Sequence, residues 1–232
     1  MKNSLIILLL AATVAPARAQ KIVEKHMDIA ANGNVIMNFQ ISDSIRIITW
    51  KKNEVYIRSS INVNDNENND DYKMNFEGSG NSVVITAKLE TKGNGCGGVK
   101  DSSGRRKRNC NCDCNCWCGN SSDIVHEVYL PEGVDFSVET INGNIVITGN
   151  TAGITAKTIS GYIDLATDPA RAMQVKLETI TGTMYSNFDI SASDKNLRWV
   201  GGRLVSTELN GGGGKRIELK TISGDIFLRK QG

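Results

Sequence analysis

The sequence is poor in proline, histidine and aromatic residues, and beyond its first 19 residues it lacks long apolar runs. Of its 232 residues, three are proline, two are histidine and 6% are aromatic. No stretch after residue 19 approaches the roughly 20 apolar residues that a membrane helix needs. With only two histidines and no Gly-x-Ser-x-Gly motif, nothing indicates a catalytic triad. We therefore expect a protein without a membrane span in its mature form, and one that is not an enzyme.

The chain also lacks a net charge of either sign once its first segment is set aside. Residues 1–19 combine a basic start at Lys2, an apolar run from Leu5 to Val14 and the tripeptide Ala17-Arg18-Ala19, which is the pattern of a secretory signal peptide. Removing them lowers the basic side chains from 27 to 25, which equals the 25 acidic ones. A neutral chain does not attract nucleic acid. We predict an exported protein that stays in the periplasm, reaches the cell surface or is secreted.

What the sequence does have is an internal repeat with the pattern Thr-Ile-x-Gly. There are four full copies, and a degenerate fifth copy, residues 199–206, lies before the last of them. The glycines at the fourth position follow one another at spacings of 18, 21, 20 and 22 residues. A period near 20 residues is typical of stacked units that cannot bury their apolar faces alone. The full copies are Thr140–Ile147, Thr158–Leu165, Thr179–Ser186 and Thr221–Leu228.

Short alternating bursts of β-branched residues, separated by Gly and Asn, predict strands rather than helices. Together with the repeat, they predict an all-β fold, a β-helix-like β-solenoid of stacked coils about 20 residues long. We expect a signal peptide over 1–19, a less regular N-terminal β region over 20–130 and the repeat region over 131–232. A Cys- and Arg-rich loop spans 91–123, and residues 28–232 are expected to form one continuous domain.

The parity of the apolar residues indicates a corner inside each repeat. Phe136 and Val138 alternate in step with Thr140, whereas the set that includes Ile145 is one residue out of step. Such a slip flips the faces of a strand unless the chain bends or bulges there. We predict a corner at each Thr-Ile junction, with both apolar sets facing one interior. The residues then expected in a buried column are Ile141, Ile159, Ile180 and Ile222.

At residues 221–226, Thr-Ile-Ser-Gly-Asp-Ile, and at the matching copies, the chain resembles a bacterial putative-adhesin domain family of unknown function. Members of that family are exported and carry the same T-x-S-G-x-I rungs. The resemblance runs from about residue 28 to the end and is strongest from 128–133, Val-Tyr-Leu-Pro-Glu-Gly. It implies an all-β, solenoid-like fold and an extracytoplasmic adhesive role, without catalytic residues to transfer. The cysteine-rich loop departs from the family's pattern.

Six cysteines lie within residues 91–123. An even number in an exported protein favours disulfides. Residues two apart in a strand are about 6.5–7 Å apart, so pairing requires the segment to fold back, or to join the first cysteine or another chain. The alternatives are a thiolate site for zinc or copper(I), and redox-active or unpaired thiols; no other cofactor is expected. The cysteines are Cys96, Cys110, Cys112, Cys114, Cys116 and Cys118.

Two further groups of residues are candidate binding sites. A basic run beside the cysteines is either a docking site for an anionic glycan, lipopolysaccharide phosphate or a surface polymer, or a solvated charge run. Three aromatic residues take outward positions in the repeat and are either a platform for sugar rings, isolated surface residues or packing for a neighbouring chain. The basic run is Arg105, Arg106, Lys107 and Arg108, and the aromatic residues are Tyr162, Tyr185 and Phe227.

The leading hypothesis is a non-enzymatic, exported protein that is adhesin-like or acts as a cell-envelope interaction module. Its expected partner is a component of the cell surface or envelope, either glycan or protein. One alternative is a metal-binding or redox-sensing envelope protein that acts through the cysteine loop. A second alternative is a glycan-active enzyme built on a β-solenoid, since polysaccharide lyases and hydrolases use that fold.

Overall fold

The computed structural model describes residues 20–90, 121–150, 152–190 and 203–231. These residues form twelve strands in one sheet, together with a single 3₁₀ turn at Asn69–Asp71. The prediction of an all-β chain is confirmed, and the described residues include no helix long and apolar enough to cross a membrane. The strands are β1 (Lys21–Trp50), β2 (Glu54–Val63), β3 (Tyr72–Leu89), β4 (Ser122–Pro131), β5 (Asp135–Thr148), β6 (Ile154–Ser160), β7 (Ile163–Thr167), β8 (Met173–Thr179), β9 (Met184–Ser186), β10 (Arg203–Leu209), β11 (Lys215–Ser223) and β12 (Ile226–Lys230).

The repeat region and the middle of β1 are built from rungs, each made of two strand segments joined at a corner. The two segments lie either within one long strand, as in β1 and β5, or in two consecutive strands. Equivalent segments of neighbouring rungs pair in parallel, so equivalent residues lie side by side. We call the rungs A (residues 34–48), B (135–148), C (154–167), D (173–186) and E (215–230).

The rungs do not stack in the order of the chain. Rung A pairs with B, and B pairs with C. Rung E, the last in sequence, then lies between C and D: β11 pairs with both β6 and β8, and β12 pairs with both β7 and β9. The stacking order is therefore A–B–C–E–D. The described part of the degenerate fifth copy, β10, runs antiparallel to β8 and so does not form another parallel rung.

Both halves of each rung contribute side chains to one hydrophobic core. In rung B, Phe136 and Val138 are buried before the corner, and Ile145 and Ile147 are buried after it. Rungs C and E repeat this arrangement. Burial of a large aliphatic side chain stabilises a fold by about 1.5–3 kcal/mol. The predicted corner with two inward-facing sets is therefore present, and it positions the outward residues of each half on two separate surfaces.

The predicted burial of Ile141, Ile159, Ile180 and Ile222 is wrong. These residues do form a column, because their rungs are paired in register, but the column is on the outside. Their exposed fractions are 43%, 46%, 46% and 39%. The reason is the position of the parity change: the threonine before each isoleucine points inward, and the chain changes face only after the isoleucine. The inward positions beyond the corner begin at Ile145, Ile163 and Ile226.

The buried threonines hold the corners of neighbouring rungs together. Thr158 of rung C donates a hydrogen bond from Oγ1 to the carbonyl oxygen of Gly143 in rung B, at 3.2 Å. The same bond joins Thr221 to Gly161 at 3.2 Å and Thr179 to Gly224 at 3.0 Å. Each hydroxyl is thereby satisfied inside the core, where an unpaired polar group would cost about 1–3 kcal/mol. These bonds follow the order B–C–E–D, as the strand pairing does.

The repeat requires glycine at its corner because a backbone carbonyl oxygen of the neighbouring rung lies directly against this position. Gly161 has a φ of +137°, a conformation that side chains with a Cβ rarely adopt. A Cβ at this position would also lie well under 3.0 Å from the carbonyl oxygen of Gly143 in the next rung. Any larger residue would therefore push two rungs apart at the point where the threonine bond joins them.

We predict that a charge destabilises the protein far more at the inward isoleucine of a rung than at the outward one. Ile163→Asp places a carboxylate in a fully buried apolar position and should lower the free energy of unfolding by at least about 3 kcal/mol. Ile159→Asp, four residues earlier but 46% exposed, should change it by less than about 1 kcal/mol. Urea unfolding of both variants measures this. Equal losses in the two variants would show that the register described above is wrong.

We predict that crowding, as well as the backbone angle, prevents a larger residue from replacing the glycine at the corner. Gly161→Ala should destabilise the protein by about 3 kcal/mol or more, because it combines backbone strain with a clash against Gly143. Gly213→Ala is the matched control, since Gly213 also has a positive φ (+70°) but no described atom lies within 4 Å of its Cβ position. The control should cost only about 1–2 kcal/mol. Similar thermal unfolding of the two variants would contradict the crowding.

Candidate binding site

The structure brings Tyr162, Tyr185 and Phe227 together on one outward surface. The rings of Phe227 and Tyr185 are nearly parallel (9°) with centroids 5.0 Å apart, because rungs E and D are neighbours in the stack. The ring of Tyr162 meets Phe227 edge-on, with centroids 6.1 Å apart. Tyr185 is half exposed, since β9 pairs with β12 on one side and with no described strand on the other. The three aromatic residues thus form one cluster, and their role with sugars stays a prediction.

An ion pair adjoins this cluster. Arg229 binds Asp164 with two hydrogen bonds: Nε donates to Oδ1 at 2.7 Å, and Nη2 donates to Oδ2. The pKa of Arg229 is raised above its usual value, chiefly by the hydrogen bond to Asp164 and then by the charge of that carboxylate. Asp164 lies directly beside Phe227 in the neighbouring strand. A planar, net-neutral pair of hydrogen-bonding groups therefore stands next to the aromatic rings.

A second aromatic cluster lies on β1, β2 and β4, and sequence reasoning missed it. Tyr56 and Tyr129 are directly opposite each other, with ring centroids 5.8 Å apart. Trp50 packs on Tyr129 at 5.2 Å, and His26 packs on Tyr56 at 4.5 Å. Alternation within each strand indicates that Tyr56 and Tyr129 point outward, but the sequence contains no repeat that pairs β2 with β4.

Three residues of the exposed isoleucine column, Ile141, Ile159 and Ile222, line a groove with a volume of about 820 Å³. A row of charged residues borders the groove on the strand side, in the order Glu139, Lys157, Lys220 and Glu178. Each lysine forms an ion pair with the glutamate at its end of the row: Lys157 binds Glu139 and Lys220 binds Glu178, both at 2.8 Å. The two outward surfaces therefore differ, because one carries aliphatic side chains and the other carries aromatic rings.

The other candidate residues cannot be placed in the same way. The six cysteines, from Cys96 to Cys118, and the basic run Arg105–Arg108 lie outside the described residues, so disulfide, metal and anion binding there stay predictions. Among the residues that are described, no group of three or more His, Cys, Asp or Glu is arranged to hold a metal ion.

A buried polar network surrounds His126 in the N-terminal region. Ser59 Oγ lies 2.7 Å from Nδ1, and the hydroxyl of Tyr72 lies 3.1 Å from Nε2 and donates to the carbonyl oxygen of Ile41 at 3.0 Å. Because that tyrosine proton is used, Nε2 carries the imidazole proton and Nδ1 accepts from Ser59. Burial lowers the pKa of His126 to about 3 and raises that of Tyr72. A neutral, fully enclosed histidine of this kind stabilises the core and does not face a substrate.

Comparison with known proteins gives a match at the level of fold. No protein-family model matches the chain, and no curated protein sequence matches it. The fold is similar to the crystal structure of a putative cell adhesion protein from Clostridium sporogenes, with a TM-score of 0.51 and 8% identity over 91% of this chain and 100% of that one. A putative adhesin from Bacteroides fragilis aligns over 92% of this chain and 98% of that one at 7% identity, but with a TM-score of 0.21, which does not establish a shared fold.

We predict that His126 makes the fold sensitive to acid. Its pKa is about 3 when folded and about 6.5 when unfolded, so the unfolded chain binds the proton first as the pH falls. The stabilisation is complete above pH 6.5 and is lost as the pH falls towards 3, by about 2–3 kcal/mol at pH 4.5. Urea unfolding at pH 7.0 and 4.5 measures the difference.

The matched controls for this prediction replace one histidine each. His126→Gln should remove that part of the pH dependence, whereas replacement of the exposed His26 by Gln should leave it unchanged. Acid-linked carboxylates such as Glu218 contribute equally to all three proteins, so the difference between them isolates His126. An identical loss in wild type and His126→Gln would contradict the prediction.

Proposed function

We propose that this protein is an exported, non-enzymatic, adhesin-like protein that binds a component of the cell surface or envelope. The observation that carries the proposal is the fold similarity to the Clostridium sporogenes protein, which spans that whole chain and is described as a putative cell adhesion protein. The resemblance of the Thr-Ile-x-Gly copies to an exported adhesin-like family supports the same role. The partner is a glycan or a protein of the envelope rather than nucleic acid, because the mature chain has no net charge.

We further propose that the rungs form a β-solenoid-like scaffold for this role. Three observations support this proposal. The rungs pair in parallel and in register, Thr-to-Gly hydrogen bonds join neighbouring rungs, and both halves of each rung contribute side chains to the core. In such a scaffold each rung adds one more row to the outward surfaces. An extended surface with repeated side chains suits attachment to a long or repetitive partner better than it suits a single enclosed substrate.

The two rival functions have less support. A metal-binding or redox-sensing role would depend on the cysteines between Cys96 and Cys118, and disulfides remain our expectation for an exported chain. A glycan-active enzyme would require acid and base groups that are placed to act on a bond. On the aromatic surface, Asp164 is engaged by Arg229, and Glu127 by Arg46 at 3.0 Å. Carboxylates held in such pairs are suited to hold hydroxyl groups rather than to transfer protons.

The proposed function predicts both export and attachment. Protein recovered from the producing organism should begin at Gln20 and be found outside the cytoplasm, which fractionation followed by N-terminal sequencing measures. The purified mature protein should bind isolated envelopes of that organism or the surface of neighbouring cells in a saturable way. Binding that remains in the presence of an excess of unlabelled protein provides the control for nonspecific adsorption. A cytoplasmic protein with residues 1–19 intact, or binding equal to that of the control, would refute the proposal.

A further inference from the structure

The two aromatic clusters lie on the same face of the sheet. Residues that are directly opposite in neighbouring strands project to the same side. Following such pairs leads from His26 to Tyr56, Tyr129, Ile48 and Thr148, and then through Ala166 to Arg229 beside Phe227. The face therefore runs without interruption through eight strand segments: residues 21–28 of β1, then β2, β4, residues 44–50 of β1, residues 144–148 of β5, β7, β12 and β9.

The spacing of the two clusters suits a long ligand. From Tyr129 on β4 to Phe227 on β12 is four strand steps, or about 19 Å at the usual separation of paired strands. The residues between them in the same row are Ile48, Thr148 and Ala166. A row of small and medium side chains between two groups of rings leaves space for a chain that lies flat on the face and reaches both ends.

Most of the basic groups of this face are held in ion pairs. Arg58 binds Glu24 at 3.2 Å, Arg46 binds Glu127 at 3.0 Å, and Arg229 binds Asp164 through two bonds. Asp28 and Asp123 lie on the same side by strand alternation and add negative charge, so this face does not favour an anionic polymer. The same paired groups keep free lone pairs and N–H bonds that can bind hydroxyl groups.

We propose that this face binds an extended, uncharged polysaccharide, with Tyr162, Tyr185 and Phe227 as one platform and Trp50, Tyr56 and Tyr129 as the other. Sugar rings present apolar C–H faces that pack on aromatic rings, and they present hydroxyl groups that bond to planar polar groups. Tyr185 is half exposed, and its ring face away from Phe227 has no described neighbour, so it is the main stacking position. In the other platform Lys52 covers one face of Trp50, which leaves Tyr56 and Tyr129 as the contacting rings. This inference rests on the proposed function and specifies the class of partner.

The dependence of affinity on oligosaccharide length tests whether there are two platforms or one. The mature protein is titrated by calorimetry with neutral oligosaccharides of glucose and of N-acetylglucosamine, from two to ten rings, and with heparin as an anionic polymer. We expect affinity to rise at least tenfold with length until both clusters are spanned, because the second contact becomes intramolecular. Heparin should bind at least tenfold more weakly than the longest neutral chain.

The variants separate the platforms. Tyr185→Leu should weaken binding of every oligosaccharide at least tenfold, and Tyr185→Trp should retain it, because only the ring is replaced by a ring. Tyr129→Ala should leave the shortest bound chains unaffected and remove the gain with length. Ile159→Thr is the matched control, since it changes an exposed residue on the other surface and should have no effect. Thermal unfolding of each variant confirms that it is folded.

The inference is overturned if the wild type binds none of the neutral chains, if it prefers heparin, or if Tyr185→Leu binds them as tightly as the wild type. A loss with Tyr185→Leu and no effect of Tyr129→Ala overturns the second platform. Failure of the inference is distinguishable from failure of the proposed function by the envelope-binding assay. Equal attachment of wild type and Tyr185→Leu to envelopes retains the adhesin-like function and removes the glycan face from it. Saccharide binding without attachment to any envelope or cell retains the glycan face and refutes the adhesin-like function.

Discussion

The corner between the two halves of a rung is the constraint on which the rest of the structure depends. Three threonine hydroxyls donate to glycine carbonyl oxygens of the neighbouring rung, and the glycines leave room for that approach. The bond satisfies a buried hydroxyl, fixes the register between rungs and turns the chain so that apolar side chains on both sides of it enter one core. Once the register is fixed, every outward position is aligned with its equivalents, and rows of like side chains result.

The sequence was sufficient for the all-β class and for the outward position of Tyr162, Tyr185 and Phe227, because both depend on local alternation. It was insufficient to decide whether Ile159 and its equivalents in the other rungs face inward or outward. Alternation shows that a parity change occurs near the Thr-Ile junction, but a slip of one residue can precede or follow the isoleucine. The threonine bond to the neighbouring glycine decides between them, and that bond joins Thr221 to Gly161, 60 residues apart.

The second aromatic cluster shows a different limit of sequence reasoning. Tyr56 and Tyr129 meet because β2 and β4 pair antiparallel across 73 positions, in the region that has no regular repeat. Within the repeat, by contrast, equal spacing from glycine to side chain is enough to align residues. The two clusters therefore come to one face for separate reasons, one from periodicity and the other from long-range strand pairing. The ion pairs Arg46–Glu127 and Arg58–Glu24 keep that face polar.

The position of rung E has a consequence for the order in which the chain can acquire its structure. Rungs A, B and C can stack in the order in which the chain is delivered, because each finds the previous one in place. Rung D cannot, since its β8 and β9 pair with β11 and β12, which are synthesised later. Residues 173–186 must therefore wait for the last 18 residues of the chain before their strands have parallel partners. A chain truncated after residue 200 lacks an internal layer of the stack, rung E, and its third repeat has no parallel neighbour.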